Sequence, residues 1–161
     1  MMLSINIIMW LLSHTWESIM VEISLSRAKR IINATLAKGK ALGLKPLSAV
    51  VLDAGGHVKA FERQDGASPG RFAIAQGKAY GAVMLGMPGS AQMERAEAQP
   101  YFIVTANAAL GGKMIPVPGG ALIQNGRGQI MGALGVTGDT SDNDLIAAVA
   151  GIEASGLVAN G

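Results

Sequence analysis

Apolar residues at Leu25, Ala28, Ile31, Ile32 and Leu36, joined by Thr35, recur three and four positions apart. Lys29, Arg30, Lys38 and Lys40 fall mostly on the opposite face, so the spacing predicts an amphipathic helix. Ser24 is a fitting N-cap, and Gly43 with Pro46 supplies the stop. The period then changes. Leu47–Leu52 is a nearly unbroken apolar run and His57–Phe61 alternates, with the turn residues Asp53–Gly56 between them. That pattern predicts a β-hairpin, which makes the sheet at least partly antiparallel. After a loop over Gln64–Gly70, the Ala-rich stretch Phe72–Leu85 reads as a helix ending at Gly86–Pro88. Ser90–Ala98 is a shorter helical stretch stopped before Pro100, and Tyr101–Leu110 fits a helix without excluding other conformations. Ala121–Gln124 and Gln129–Val136, separated by Asn125–Gly128, repeat the hairpin pattern. A loop over Thr137–Ser141 leads into a last amphipathic helix, Asp142–Ser155.

Composition adds three constraints. At 161 residues the chain has the length of one domain. Charged residues are 15% of it, against roughly 25% in an ordinary domain, while half is hydrophobic. So little charge predicts surface buried between subunits, hence a homo-oligomer. The net charge of +2 comes from scattered bases without interleaved aromatics, which argues against nucleic acid. With no cysteine there is neither a disulfide nor a thiolate metal site. That suits a reducing compartment, and a cytoplasmic location is expected.

Residues 1–20 differ from the rest. Ile5–Leu12 is an apolar run with no Lys or Arg before it and no small-residue cleavage site after it. It makes a poor signal peptide and is far shorter than the roughly 20 residues of a membrane span. One domain is therefore expected over residues 21–161, with 1–20 an extension or an upstream start ahead of Met20. The alternative is an added helix that buries Trp10 and Trp16 on a neighbour.

Six stretches, in order, carry a family resemblance: VLDAGGHV at 51–58, FERQDGA at 61–67, IAQGKA at 74–79, PGGALI at 118–123, GALGVTG at 132–138, and Asp142–Ala154. Together they resemble the haem-degrading, or GlcG/HbpS-like, family over roughly residues 22–158. They also resemble the corrinoid-associated C-terminal domain of PduO-type adenosyltransferases. The resemblance implies an α/β (α+β) fold of profilin-like architecture, with a central five-stranded antiparallel sheet flanked by helices. It further implies assembly from dimer to octamer and a ligand that is a tetrapyrrole, haem or corrinoid, or a small carboxylated metabolite. Fold alone does not choose among these.

Within these stretches several side chains could carry chemistry. Arg63 offers a planar fork suited to a carboxylate, and Asp65 is placed to orient it or to accept a proton. The two could equally pair with each other and shape the loop. Lys78, in an Ala- and Gly-rich helix, becomes an anion ligand if buried in a pocket. Gly119, Gly120 and Thr137 belong to backbone-permissive segments whose main-chain N–H groups can approach a ligand, or which merely allow tight turns. His57 is the sole histidine outside the extension and hence the candidate metal or haem ligand; a solvated turn histidine is the plainer reading. These residues support a binding module. The alternative is a catabolic enzyme using Asp65 as base, with Lys78 or Arg63 as electrophilic support, on a small organic acid or carbonyl compound. No P-loop, GxSxG elbow or zinc-type histidine pair occurs.

Overall fold

The computed structural model describes residues 21–161; the expectations for residues 1–20 lie outside them. Helix α1 (Leu25–Ala41) starts at Ser24, whose side chain accepts from the Arg27 N–H, and buries Ala28, Ile31, Ile32 and Thr35. Strands β1 (Ser48–Asp53) and β2 (Val58–Arg63) form the first hairpin. Its turn is held by Asp53, whose Oδ1 accepts from Gly55 N at 2.9 Å and His57 N at 3.0 Å. Strands β3 (Gly120–Gln124) and β4 (Ile130–Thr137) form the second. There Asn125 does the same work, its Oδ1 accepting from Arg127 N at 2.9 Å and Gln129 N at 3.1 Å. A short polar side chain at the first turn position thus closes both hairpins.

Between the hairpins run α2 (Arg71–Leu85), α3 (Gly89–Ala98) and α4 (Pro100–Ala109); α5 (Ser141–Glu153) and the short β5 (Val158–Asn160) close the chain. Tyr101–Leu110 is therefore helical, entered through a proline at its first position. The sheet order is β2-β1-β4-β3-β5, every pairing antiparallel. Four strands are predicted from the residues and the resemblance implies a fifth, which is β5 pairing with β3. Among the described residues no helix is long and apolar enough to cross a membrane.

The sheet separates two cores. On one face α1 and α5 pack over Ala49, Val51, Ala121, Ile123, Leu134 and Val136. On the other, Ala75, Ala79 and Ala82 of α2 meet Val50, Leu52, Leu122 and Ala133. Each large aliphatic side chain fully buried here contributes about 1.5–3 kcal/mol. The second core is built of small side chains because α2 lies almost on the sheet. A Cβ at Gly135 would stand 1.9 Å from the Ala75 carbonyl oxygen, and one at Gly120 2.4 Å from that of Lys78. Gly120 and Gly135 are cross-strand partners, so they form one glycine seat for the helix.

Candidate functional site

Helix α2 has two chemically distinct faces. Its inward positions place Lys78 among Ala75, Ala79 and Ala82, and the glycine seat draws its backbone down onto β3. The ammonium donates from Nζ to Asp144 Oδ2 at 2.9 Å, with both side chains almost fully enclosed. Burial lowers the Lys78 pKa from its ordinary value; the Asp144 charge and hydrogen bond work against that shift. Asp144 also accepts the Asp139 N–H at 3.0 Å, which ties α5 to the end of β4. Gly119, with φ +100°, passes directly over the pair, where a Cβ would lie 2.9 Å from Lys78 Nζ.

The outward positions of α2, Ala73, Ile74, Gly77 and Tyr80, line a cleft of about 390 Å³ closed by Lys113 and Ile115. Gly77 lets the Lys113–Ile115 segment run against the helix: its carbonyl accepts the Ile115 N–H at 3.2 Å, and a Cβ there would be 2.6 Å from the Lys113 oxygen. The exposed Lys113 ammonium sits 5.6 Å from the Tyr80 ring centroid, a cation–π distance. At the other end Gly56, with φ +84°, admits Tyr80 and Met84 against the first hairpin turn.

The residues singled out from the sequence are not gathered in one place. Arg63 and Asp65 border an open groove beside the end of α1, with Lys40 and Glu62. They make no ion pair with each other; Arg63 instead donates from Nη1 to the Ala67 carbonyl at 2.6 Å and shapes the loop that way. Asp65 stands exposed at the rim. Lys78 is one half of the buried pair, Gly119 passes over its Nζ, and Gly120 lies against its main-chain carbonyl. Thr137 lies on β4 rather than in a loop, its Oγ1 accepting from Arg71 Nη1 at 2.8 Å. His57 precedes β2 in the hairpin turn, 81% exposed at its side chain, its Nδ1 3.3 Å from Asp53 Oδ1.

Sequence reasoning missed Asp144, Arg71, Tyr80 and Lys113. Asp144 reads as ordinary first-turn acid of α5, and nothing local announces a partner 66 residues away. Tyr80 did leave a signal. It is the one aromatic among the Ala, Gly and Lys of its helix after Phe72, three positions from Gly77.

The sequence profile of the haem-degrading HbpS-like proteins matches residues 23–153. The chain belongs to the HbpS-like family. No curated protein sequence matches it. Among solved structures it is similar to the PduOC–haem complex, with TM-score 0.75 and 22% identity over 84% of this chain and 96% of that one. It is similar to HbpS with TM-score 0.71 and 24% identity, covering 83% of this chain and 89% of that one. It is similar to the Klebsiella pneumoniae protein ORFY with TM-score 0.73 and 24% identity, covering 83% and 90%. At these identities the likeness is one of fold. The HbpS-like match spans α1 to α5 and so includes both faces of α2, the buried pair and the Tyr80 cleft.

Proposed function

We propose that this protein binds a tetrapyrrole, haem foremost, with part of the macrocycle in the cleft between α2 and the Lys113–Ile115 segment. The carrying observation is the cleft's amphipathic build. Ala73, Ile74 and Ile115 give apolar walls, Gly56 and Gly77 leave room beside them, and Tyr80 offers a flat aromatic surface. Lys113 adds a cation suited to a propionate. The donor set fits the group: Tyr80 lines the cleft, and His57 directly follows its lining residue Gly56 in the chain. Either side chain can ligate haem iron. The family match and the haem complex among the fold's relatives support the same reading. When bound, haem supplies redox and oxygen chemistry; Tyr80 and Lys113 orient it, and the apolar walls exclude water from its face.

Self-association is part of the proposal. Helix α4 packs on α3 and carries no charged residue, with Tyr101 and Val104 two-thirds exposed. A second copy covering that face accounts for the low charge of the chain. The cysteine-free sequence suits the cytoplasm, where we place the protein.

The test is a haemin titration followed in the Soret band. Tyr80→Ala is expected to weaken binding by about 0.5–1.5 kcal/mol beyond the apolar area it removes. Lys113→Ala should weaken it by less than about 1 kcal/mol, as befits an exposed ion pair. Undiminished affinity in Tyr80→Ala, or no Soret shift with wild-type protein, refutes the assignment.

A further inference from the structure

The two hairpin turns are built alike and differ in two side chains. Asp53 N donates to His57 O at 2.9 Å, and Asn125 N donates to Gln129 O at 3.1 Å. Gly56 N and Gly128 N each donate back to the first residue's carbonyl at 3.0 Å. Both glycines take the left-handed conformation this requires, at φ +84° and +76°. In each turn the first side chain caps two N–H groups and then meets the side chain of the fifth residue. Asn125 Nδ2 donates to Gln129 Oε1 at 2.8 Å, and Asp53 Oδ1 lies 3.3 Å from His57 Nδ1. The second turn shows that two neutral amides suffice. A carboxylate and an imidazole at the same two places are therefore more than closing the first turn requires.

The pair is also held in one orientation. A Cβ at Gly55 would stand 2.9 Å from His57 Cε1 and Nδ1, so the bare backbone there lets the ring lie back over the turn toward Asp53. Burial acts to raise the Asp53 pKa; the His57 and Gly55 N–H groups and the imidazole overcome it, so the carboxyl stays below its ordinary value. An ionised carboxylate only accepts. The neutral ring thus carries its proton on Nδ1 and leaves the Nε2 lone pair open, on a side chain 81% exposed. A carboxylate behind one ring nitrogen and an open lone pair on the other is the arrangement of metal-bound histidines, where it fixes the tautomer and makes the ligand more basic.

Gly56 joins this turn to the Tyr80 cleft. It lines the cleft, and a Cβ on it would stand 3.4 Å from the Tyr80 ring. His57 is the next residue, one Cα–Cα step of about 3.8 Å along the chain. Tyr80 has Gly56 on one side and the Lys113 ammonium over its ring, so its ring serves as a wall of the cleft.

We propose that His57 is the iron ligand, through Nε2, and that Asp53 is its positioning residue. The assignment rests on the haem reading above and chooses between the two side chains it offers. Asp53 holds the tautomer, fixes the ring against the turn and raises the basicity of Nε2, which favours ferric iron. Tyr80 is then left to pack its ring against the macrocycle.

The experiment compares haemin titrations of the wild-type full chain, His57→Ala, Asp53→Asn and the double variant Asp53→Asn, His57→Gln. The double variant copies the pair that closes the second turn, so it should melt with wild type while losing the Soret spectrum of an imidazole-ligated haem. Free imidazole should restore that spectrum in His57→Ala. Asp53→Asn keeps the capping oxygen and loses the charge. It should bind haemin about 10- to 100-fold more weakly and hold it at a more positive reduction potential. In the haem-free protein, ¹⁵N shifts of the His57 ring in mildly alkaline buffer should place the proton on Nδ1. A folded double variant with wild-type affinity and spectrum, or a ring proton on Nε2, overturns this inference and leaves the haem reading standing. Absence of any Soret shift with wild type overturns both.

Discussion

Replacing Lys78 by methionine separates a paired buried charge from an ordinary core residue. The Lys78–Asp144 contact is 2.9 Å long between side chains 3% and 1% exposed, so neither group has solvent to fall back on. Without the ammonium, the Asp144 carboxylate keeps the Asp139 N–H as its hydrogen bond and stays in the interior. Removing one partner of a buried pair costs about 3–5 kcal/mol. In a domain of this size each kcal/mol moves Tm by about 2–4 °C, so Lys78→Met should melt roughly 6–20 °C below wild type. The double variant Lys78→Met, Asp144→Leu buries no stray charge and leaves one unpaired N–H, at Asp139, a loss of about 1–3 kcal/mol. It should thus be more stable than Lys78→Met alone. Urea denaturation of wild type, both singles and the double is the assay, with an unchanged m-value as the condition for comparison. Two results refute the argument: a single variant that costs under about 1 kcal/mol, or a double whose loss equals the sum of the singles.

Two further outcomes follow from the same structure. The Asp139 carboxyl is held down to about 2, chiefly by the hydrogen bond from Asn143 and then by the N–H groups of Lys45 and Thr140. The unfolded carboxyl takes up its proton first, near 3.8, so between those values the unfolded chain binds more protons. The contribution of Asp139 is present above that window and lost as pH falls through about 2; Asp139→Asn should flatten the fall in urea midpoint over this range, and an unchanged slope contradicts it. Light scattering should give a mass above the 16.5 kDa of one chain, with Val104→Glu on α4 lowering it; a wild-type mass of one chain rules out the α4 interface.

Periodicity carried the fold well where side chains alternate or repeat over several turns. The first and last helices lie within a few residues of their expected bounds because each buries one face against the sheet, and both hairpins do because turn residues interrupt their apolar runs. β5 was not legible, since three residues with an exposed, half-buried, exposed pattern leave no period to find. The candidate site was harder, for a physical reason. Gly119 and Gly120 read as turn or ligand glycines, yet an ammonium and a helix carbonyl already fill the space beside them. Lys78 stood out as a misfit in an alanine-rich helix. The group that answers it sits on α5, and no local pattern encodes an encounter between two elements so far apart.

The order of the strands has a kinetic consequence. Both hairpins join neighbours in sequence, whereas the ladder between β1 and β4 joins residues some eighty positions apart. Closing that loop is the slow and entropically costly event, so the hairpins should form early and the central ladder late. Ser48 opposite Thr137, Arg71 against Thr137, and Lys78 against Asp144 all belong to contacts that close with that ladder or after it. A chain arrested with both hairpins formed would own every one of these side chains and assemble none of their contacts. An intact Lys78–Asp144 pair would then report completed folding rather than collapse, and breaking it should speed unfolding more than it slows folding.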